Sequence, residues 1–241
     1  MFSPGGYLST DPSQSKFATW TKIVIMYCDG SIHQGHVDKP ISFKDSTLYF
    51  RGADNTRSHI KWMINKYQIN KAEKVLFTGA SAGGFATFIW NNYMRELMDK
   101  PENLYSVADS SIFVDIAFPD TVIHLFEITA RNMWKLSNTD EKFPIQACNK
   151  KYPGNEWKCL FIQNCYEFLV SEVMFVNSQY DPLGIEDGMN ITCLSDGVSG
   201  KTLKNCNSTQ MKHIENYRSS FLSIVSKLVS KNHSVWTIAC S

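Results

Sequence analysis

The sequence has 241 residues, of which 43% are hydrophobic and 20% charged, with a net charge of +1. This length and composition are typical of one α/β domain with a sizeable core. The balanced charge gives no indication of nucleic-acid or anionic membrane binding. No apolar run approaches the about 18 residues of a membrane span, and residues 1–10 lack the charged and apolar regions of a signal peptide.

The first part of the chain alternates a strand pattern with a helix pattern. Residues 1–20 form a loop rich in Gly, Ser and Pro, and the apolar, β-rich run at 22–27 predicts a buried parallel strand. A polar loop at 31–46 and a short strand at 47–50 follow. Apolar residues at a helical period then predict a helix over 57–67.

The same alternation continues to the end of the chain. Besides the strand at 75–77, three further strands are predicted, at 105–108, 172–178 and 234–239. Two further helices are predicted, over 85–98 and 211–230. The irregular, aromatic stretch 112–170 is predicted to be a cap or insertion over the sheet edge. Because strands alternate with helices, we expect one α/β domain over 1–241, with a mainly parallel sheet whose functional groups gather at the carboxyl ends of the strands.

A glycine-rich turn follows the apolar run that begins at Val75. The sequence VLFTGASAGG places G-x-S-x-G between a predicted strand and a predicted helix, the context of a nucleophile elbow. Such a pattern also arises by chance, but this context argues against coincidence. Side chains at Gly79 or Gly83 are expected to crowd the neighbouring strand or helix. The turn would expose the Ser81 hydroxyl and aim the N–H of Ala82 at a developing oxyanion.

A serine nucleophile needs a base and a group that orients the base. Asp181 follows the predicted strand 172–178, and the order Ser then Asp is that of α/β-hydrolases. Asp181 is therefore the candidate for holding the imidazole, with an ordinary aspartate turn as the alternative. Asp109 also follows a strand, and its expected role is to tie down a loop.

The histidine of such a triad is harder to find. Only His213 and His233 follow Asp181 in the sequence. His213 lies near the start of the last helix, and His233 precedes the last strand, at the wrong edge of a parallel sheet for Ser81. Both are predicted to be solvated surface histidines. The other histidines precede Asp181 and break the chain order: His33, His36, His59 and His124.

Seven cysteines are present, and none has the spacing of a zinc site, so no metal is predicted. Two pairs close in sequence, Cys148 with Cys159 and Cys193 with Cys206, are predicted disulfides. The odd count implies a free thiol, an intermolecular bond or missing partners. Three N-x-S/T sequons, which are candidate glycosylation sites, begin at Asn190, Asn207 and Asn232. Cysteines and sequons together favour an oxidising, secretory compartment.

Several of these segments resemble the pectin acetylesterase family, which includes plant pectin acetylesterases and Notum-like carboxylesterases. The matching pieces, in family order, are YCDG at 27–30, FRGA at 50–53, GASAGG at 79–84, ADS at 108–110, NSQYD at 177–181 and YRSSFL at 217–222. The resemblance implies an α/β-hydrolase-like fold, no cofactor, a secreted or lysosome-like location, and Ser81 and Asp181 as two triad members.

The sequence departs from the family pattern in two places. The family's Gly-Gly-x-Trp-Cys segment, which donates N–H groups to the oxyanion, has no match before Trp20. The family's histidine lies three residues after a cysteine that corresponds to Cys240, so it would fall beyond Ser241. We therefore expect an internal fragment that lacks both ends, holds Cys28 and Cys240 without their partners, and has little or no esterase activity by itself.

Three functions are consistent with these features. The leading hypothesis is a serine carboxylesterase that removes O-acetyl groups from polysaccharide. The alternatives are a Notum-like deacylase of lipid-modified protein and a secreted, non-catalytic binding module on the same fold. The choice between acetyl and longer acyl groups depends on the depth of a pocket within 112–170.

Overall fold

The centre of the molecule is a parallel four-stranded sheet. A computed structural model describes residues 6–139, 142–194 and 202–239. Its strands form an antiparallel hairpin, β1 (Ile41–Phe43) with β2 (Ser46–Leu48), and a sheet in the order β3 (Val75–Ala80), β4 (Leu104–Asp109), β5 (Met174–Ser178) and β6 (Ser234–Ile238). Each strand of the larger sheet runs parallel to its neighbour, so the predicted α/β fold with a parallel sheet is confirmed.

Helices connect the strands and flank the sheet. They are α1 (Gly52–Tyr67), α2 (Ala82–Glu96), α3 (Leu125–Leu136), α4 (Gln146–Lys151), α5 (Ile162–Cys165) and α6 (Ser208–Ser230). A capping box starts α6, because the Asn207 side chain accepts from the Gln210 N–H while the Gln210 side chain accepts from the Asn207 N–H. Among the described residues, none of these helices has both the length and the apolar character needed to cross a membrane.

The two faces of the sheet have different surroundings. On one face Ala108 and Phe175 pair in register and are wholly buried in the main core, together with side chains of α2 and α6. On the other face Tyr105, Met174 and Trp236 remain exposed. The period of two along each strand produces this division.

The strand predicted at 22–27 is not formed. This segment is not part of either sheet, and four of its apolar side chains are exposed: Ile23, Val24, Met26 and Tyr27. Ile25 packs beside the smaller core cluster that includes Ile60 and Met63. An apolar run becomes a strand only where a neighbouring strand supplies ladder hydrogen bonds, and no described strand pairs with this one. The short strand predicted at 47–50 corresponds to β2. It pairs with β1, a strand that lies within the loop predicted at 31–46.

The described residues of 112–170 form the three α-helices α3, α4 and α5, two 3-10 helices at Glu156–Leu160 and Tyr166–Phe168, and no strand. Their aromatic side chains are mostly packing groups, since Trp134, Phe143 and Trp157 are all buried in the main core. Both predicted disulfides are present, Cys148–Cys159 within this stretch and Cys193–Cys206 before α6. The separation of 112–170 as a cap stays a prediction.

Removing the Cys148–Cys159 disulfide is expected to destabilise the protein. The two cysteines are 11 residues apart and wholly buried. Closing a loop of this size restricts the unfolded chain, which contributes about 3 kcal/mol. The variant with both residues changed to alanine should lose about that much free energy of unfolding in urea. Cys28→Ser, at an exposed thiol, is the control and should change it by less than about 0.5 kcal/mol. A loss no larger than the control's would contradict the expectation.

Candidate active site

Ser81 lies on a sharp turn between β3 and α2. Its backbone has φ 54° and ψ −119°, a conformation that non-glycine residues rarely adopt. Two hydrogen bonds hold the turn, from Ser81 N–H to the Asp109 carbonyl (3.0 Å) and from Phe85 N–H to the Ser81 carbonyl (3.0 Å). The Ser81 side chain is exposed, and Ala82 is the first residue of α2. An N–H at that position has no acceptor within its own helix, so it can donate to a bound group.

Close packing at the turn explains two of its glycines but not the third. A Cβ on Gly79 would lie 2.5 Å from the Gly83 carbonyl carbon, and one on Gly84 would overlap the Asp109 carbonyl oxygen. A Cβ on Gly83 would meet nothing within 4 Å. The expectation that a side chain at Gly83 would itself crowd a neighbour is therefore wrong, and Gly84 is the residue where α2 crosses the loop after β4.

Asp181 lies three residues after β5 and is buried, with 8% of its surface exposed. Its Oδ1 accepts from the Leu183 N–H (2.9 Å) and its Oδ2 from the Asn177 side-chain amide (3.2 Å). Burial raises the pKa of this carboxyl, and the hydrogen bonds from Leu183, Gly184 and Asn177 oppose the rise by stabilising the carboxylate. No histidine of the described residues donates to Asp181.

The parallel sheet brings Ser81 and Asp181 to the same edge. Ala80 pairs with Asp109, and Asp109 pairs with Val176, so the ends of β3 and β5 lie on either side of the end of β4. Carboxyl ends of parallel strands are where α/β proteins place functional groups. Asp109 itself accepts a hydrogen bond from the Ser110 hydroxyl (2.8 Å), in the loop after β4.

The two later histidines lie where the sequence predicts, but neither is fully solvated, and His213, near the start of α6, is half-buried. His233 is not solvated: it is 5% exposed, its Nδ1 accepts from the Val173 N–H (3.3 Å), and its Nε2 lies 3.2 Å from the Tyr166 carbonyl. It precedes β6, at the edge opposite Ser81. His213 lies two residues before Glu215, which accepts from the Tyr180 hydroxyl (2.8 Å). The first turns of α6 therefore approach the segment that carries Asp181, which the sequence pattern did not reveal.

His233 should make the protein less stable in acid. Burial lowers the pKa of its imidazole, so the unfolded chain binds this proton more readily than the folded chain does. The stability that the neutral ring provides is complete above the unfolded pKa of about 6.5 and is lost as the pH falls below it. The melting temperature should therefore fall more steeply from pH 7 to pH 5 in the wild type than in His233→Gln. Parallel profiles would contradict this assignment.

Three side chains at the start of α3 have the composition of a metal site. Ligand atoms of Asp115, His124 and Glu127 lie within 4.8 Å of one another. Each has a protein partner, because Asp115 accepts from the Glu127 N–H (3.2 Å) and lies 3.2 Å from His124 Nδ1, while Glu127 pairs with Arg131 (2.7 Å). These contacts explain the cluster as a cap and ion-pair network of α3.

An apolar cavity of about 320 Å³ lies beside the turn. Its wall includes Phe85, one helical turn after Ser81, and Leu183, whose N–H binds Asp181. Further wall residues come from the segment before β2 and from 112–170: Ile32, Phe113, Leu125, Phe126, Leu160 and Phe161. The exposed residues Thr129 and Asp187 also contribute to the lining. Most of this lining comes from 112–170, where a pocket is predicted from the sequence, but the volume of the cavity and the contributions of Ile32, Phe85 and Leu183 depend on contacts between distant segments.

The profile of the family described as Pectinacetylesterase matches residues 2–241. The chain belongs to the pectinacetylesterase family. Among its curated relatives, Pectin acetylesterase 4 of Arabidopsis thaliana is 27% identical over 98% of this chain and 58% of the relative. Pectin acetylesterase 5 of the same plant is 29% identical over 91% of this chain and 51% of the relative. This pectinacetylesterase-family chain thus spans little more than half the length of these curated relatives.

Solved structures support the same fold. The Wnt deacylase Notum from Drosophila superposes with a TM-score of 0.76 at 21% identity, covering 97% of this chain and 63% of that chain. A second crystal form of the same protein also gives a TM-score of 0.76, at 20% identity. The predicted α/β-hydrolase-like architecture of this pectinacetylesterase-family chain is therefore confirmed.

Proposed function

We propose that the protein is a serine carboxylesterase that removes O-acetyl groups from polysaccharide. Ser81 attacks the acetyl carbonyl, and the N–H of Ala82 donates to the oxyanion of the tetrahedral intermediate. Asp181 orients a histidine base and stabilises its imidazolium. The base is a histidine that the described residues do not place beside Asp181. When the tetrahedral intermediate collapses, the bond between the carbonyl carbon and the sugar oxygen breaks, and the sugar leaves as a free hydroxyl with the proton that the histidine took from Ser81. Water, deprotonated by the same histidine, then attacks the acetyl-serine ester, which releases acetate and restores the Ser81 hydroxyl.

The strained backbone at Ser81 is the observation that carries this proposal. Surface turns such as that at Gln68 use the left-handed region (φ 53°, ψ 41°), but Ser81 at φ 54° and ψ −119° lies outside it, in a strained conformation that persists only where the surrounding structure imposes it. The strain exposes the hydroxyl at the carboxyl edge of the sheet, at the positive end of α2. The relatives named pectin acetylesterase and the family match supply the reaction class.

Labelling with a fluorophosphonate tests the proposal. In the protein translated from its complete reading frame, the probe should modify Ser81, and Ser81→Ala should lose both the label and acetate release from acetylated polygalacturonate. Ser110→Ala, which changes a serine at the end of the neighbouring strand, is the matched control and should keep the label. A label on another serine, or full activity in Ser81→Ala, would exclude this nucleophile.

A longer acyl group is a second candidate substrate, and the cavity favours it. Liquid water occupies about 30 Å³ per molecule, so about 320 Å³ exceeds what the three heavy atoms of an acetyl group fill. The lining is almost entirely apolar, which suits an alkyl chain. The structural neighbour Notum is a Wnt deacylase, which is consistent with this candidate. Rates for p-nitrophenyl esters from acetate to decanoate distinguish the two, since kcat/KM should rise with length only if the cavity holds the acyl chain.

The location we propose is the secretory pathway or outside the cell. The two disulfides require an oxidising compartment, and all three sequon asparagines, Asn190, Asn207 and Asn232, are exposed and therefore accessible to glycosylation. The Asn207 Oδ1 caps α6, which leaves its Nδ2, the glycan attachment atom, free of that role. A secreted binding module without chemistry is the outcome if Ser81 takes no label and no ester is hydrolysed.

A further inference from the structure

Ile32 has a backbone conformation that β-branched residues rarely adopt. Its φ is 55°, and the φ of the next residue, His33, is 60°. At positive φ the Cβ approaches a backbone carbonyl oxygen, so glycine and asparagine favour this region and an isoleucine there is an outlier. Strain of this kind persists only where surrounding contacts impose it, and it is concentrated at ligand-binding and catalytic sites.

Specific contacts hold this turn. The Ile32 N–H donates to the Tyr27 hydroxyl (3.0 Å), and the Ile32 carbonyl accepts from the Gln34 side-chain amide (2.9 Å). The His33 carbonyl accepts from the Trp90 indole N–H (3.2 Å). Gln34 and Trp90 are wholly buried. The His33–Trp90 hydrogen bond is buried and lies after the strained bonds, and before them the wholly buried Ser31 hydroxyl accepts from the Gly35 N–H (2.7 Å), so buried hydrogen bonds hold the turn on both sides.

The fastened turn places the Ile32 side chain in the wall of the apolar cavity. His33, Gln34 and Gly35 are buried, whereas Ile32 is half-buried and lines the cavity with Phe85. A residue on a loose loop would move aside for a longer ligand. A residue on a turn held by buried hydrogen bonds keeps its position, so it limits the space that a ligand can occupy.

We propose that Ile32 is a specificity-determining residue that fixes one wall of the acyl cavity and thereby limits the length of the acyl group accepted. The proposal rests on the proposed esterase function, with the cavity as the acyl site. It needs no catalytic step, because the selection occurs when the alkyl chain enters the cavity. Binding alone therefore tests it.

The test measures the binding of saturated fatty acids, from butyrate to palmitate, by isothermal titration calorimetry. In the wild type, affinity should rise with chain length until the cavity is full and then level off. Ile32→Ala removes three carbons from the cavity wall. The chain length at which affinity stops rising should therefore increase by about three methylenes. Ile32→Trp should fill the space and weaken the binding of decanoate by at least about tenfold. Thermal unfolding shows that each variant is folded.

Relief of strain needs its own control. Ile32→Gly relieves the strained φ and enlarges the cavity, whereas Lys44→Gly relieves a similar φ of 51° in the turn of the β1–β2 hairpin, outside the cavity lining. Lys44→Gly should leave the length limit unchanged, and Ile32→Gly should extend it. An unchanged limit in folded Ile32→Ala and Ile32→Trp would overturn the proposal, as would a wild type that hydrolyses esters but binds no fatty acid. A shifted limit without any ester hydrolysis by the protein used for fluorophosphonate labelling would support the Ile32 assignment and overturn the esterase function instead.

Discussion

Residues 1–241 by themselves are expected to hydrolyse p-nitrophenyl acetate no faster than their Ser81→Ala variant. Asp181 accepts hydrogen bonds from Leu183 and Asn177, and no histidine of the described part of the chain donates to it. A serine hydroxyl without a base is a weak nucleophile. Because triad members act as a unit, the absence of the base costs on the order of a millionfold in rate.

Three histidine variants make this expectation falsifiable. A rate clearly above the Ser81→Ala blank that disappears in His213→Ala would show that α6 supplies the base within this chain. The same loss in His233→Ala would require that residue to leave its contacts with Val173 and Tyr166. His124→Ala, at a residue that pairs with Asp115, is the control and should leave any such rate unchanged.

Gly84→Ala is expected to destabilise the protein by about 3 kcal/mol, the upper part of the range for an overpacked site. The new methyl carbon would overlap the Asp109 carbonyl oxygen and lie 2.8 Å from the Ser111 Cβ. The loop after β4 would have to move away from α2, and the backbone bond from Ser81 to Asp109 would weaken with it. Urea unfolding of the purified variants measures the loss.

Gly83→Ala is the matched control for this substitution. It adds the same methyl group one residue earlier in α2, where a Cβ meets nothing within 4 Å. Alanine is favoured over glycine within a helix, so this variant should be unchanged or more stable by up to about 1 kcal/mol. If the two variants differed by less than about 0.5 kcal/mol, within ordinary additivity error, the crossing of α2 over this loop would be wrong.

Much of the fold could be predicted from the sequence. Val75–Ala80, Leu104–Asp109 and Ser234–Ile238 are strands close to their predicted ranges, since short apolar runs bounded by turn residues carry that information locally. The turn at Ser81 was also predictable, because a strand, two glycines around a serine and a helix lie next to one another in the chain. The strand predicted at 22–27 was wrong. An apolar run does not specify whether a neighbouring strand will be present to pair with it.

The candidate site also has features that the sequence predicts and features that only the tertiary structure decides. The order of Ser81 and Asp181, each after a strand, follows from the sequence alone, and a parallel sheet then requires both to lie at one edge. Which histidine is buried, which glycine is crossed by a neighbour, and how large a cavity lies beside the turn were decided by tertiary packing. His233, Gly84 and Ile32 each acquire their role from residues at least 25 positions away in the sequence: Tyr166, Asp109 and Phe85, respectively. Contacts between such distant segments depend on the complete packing of the core, and no local pattern of residues encodes them.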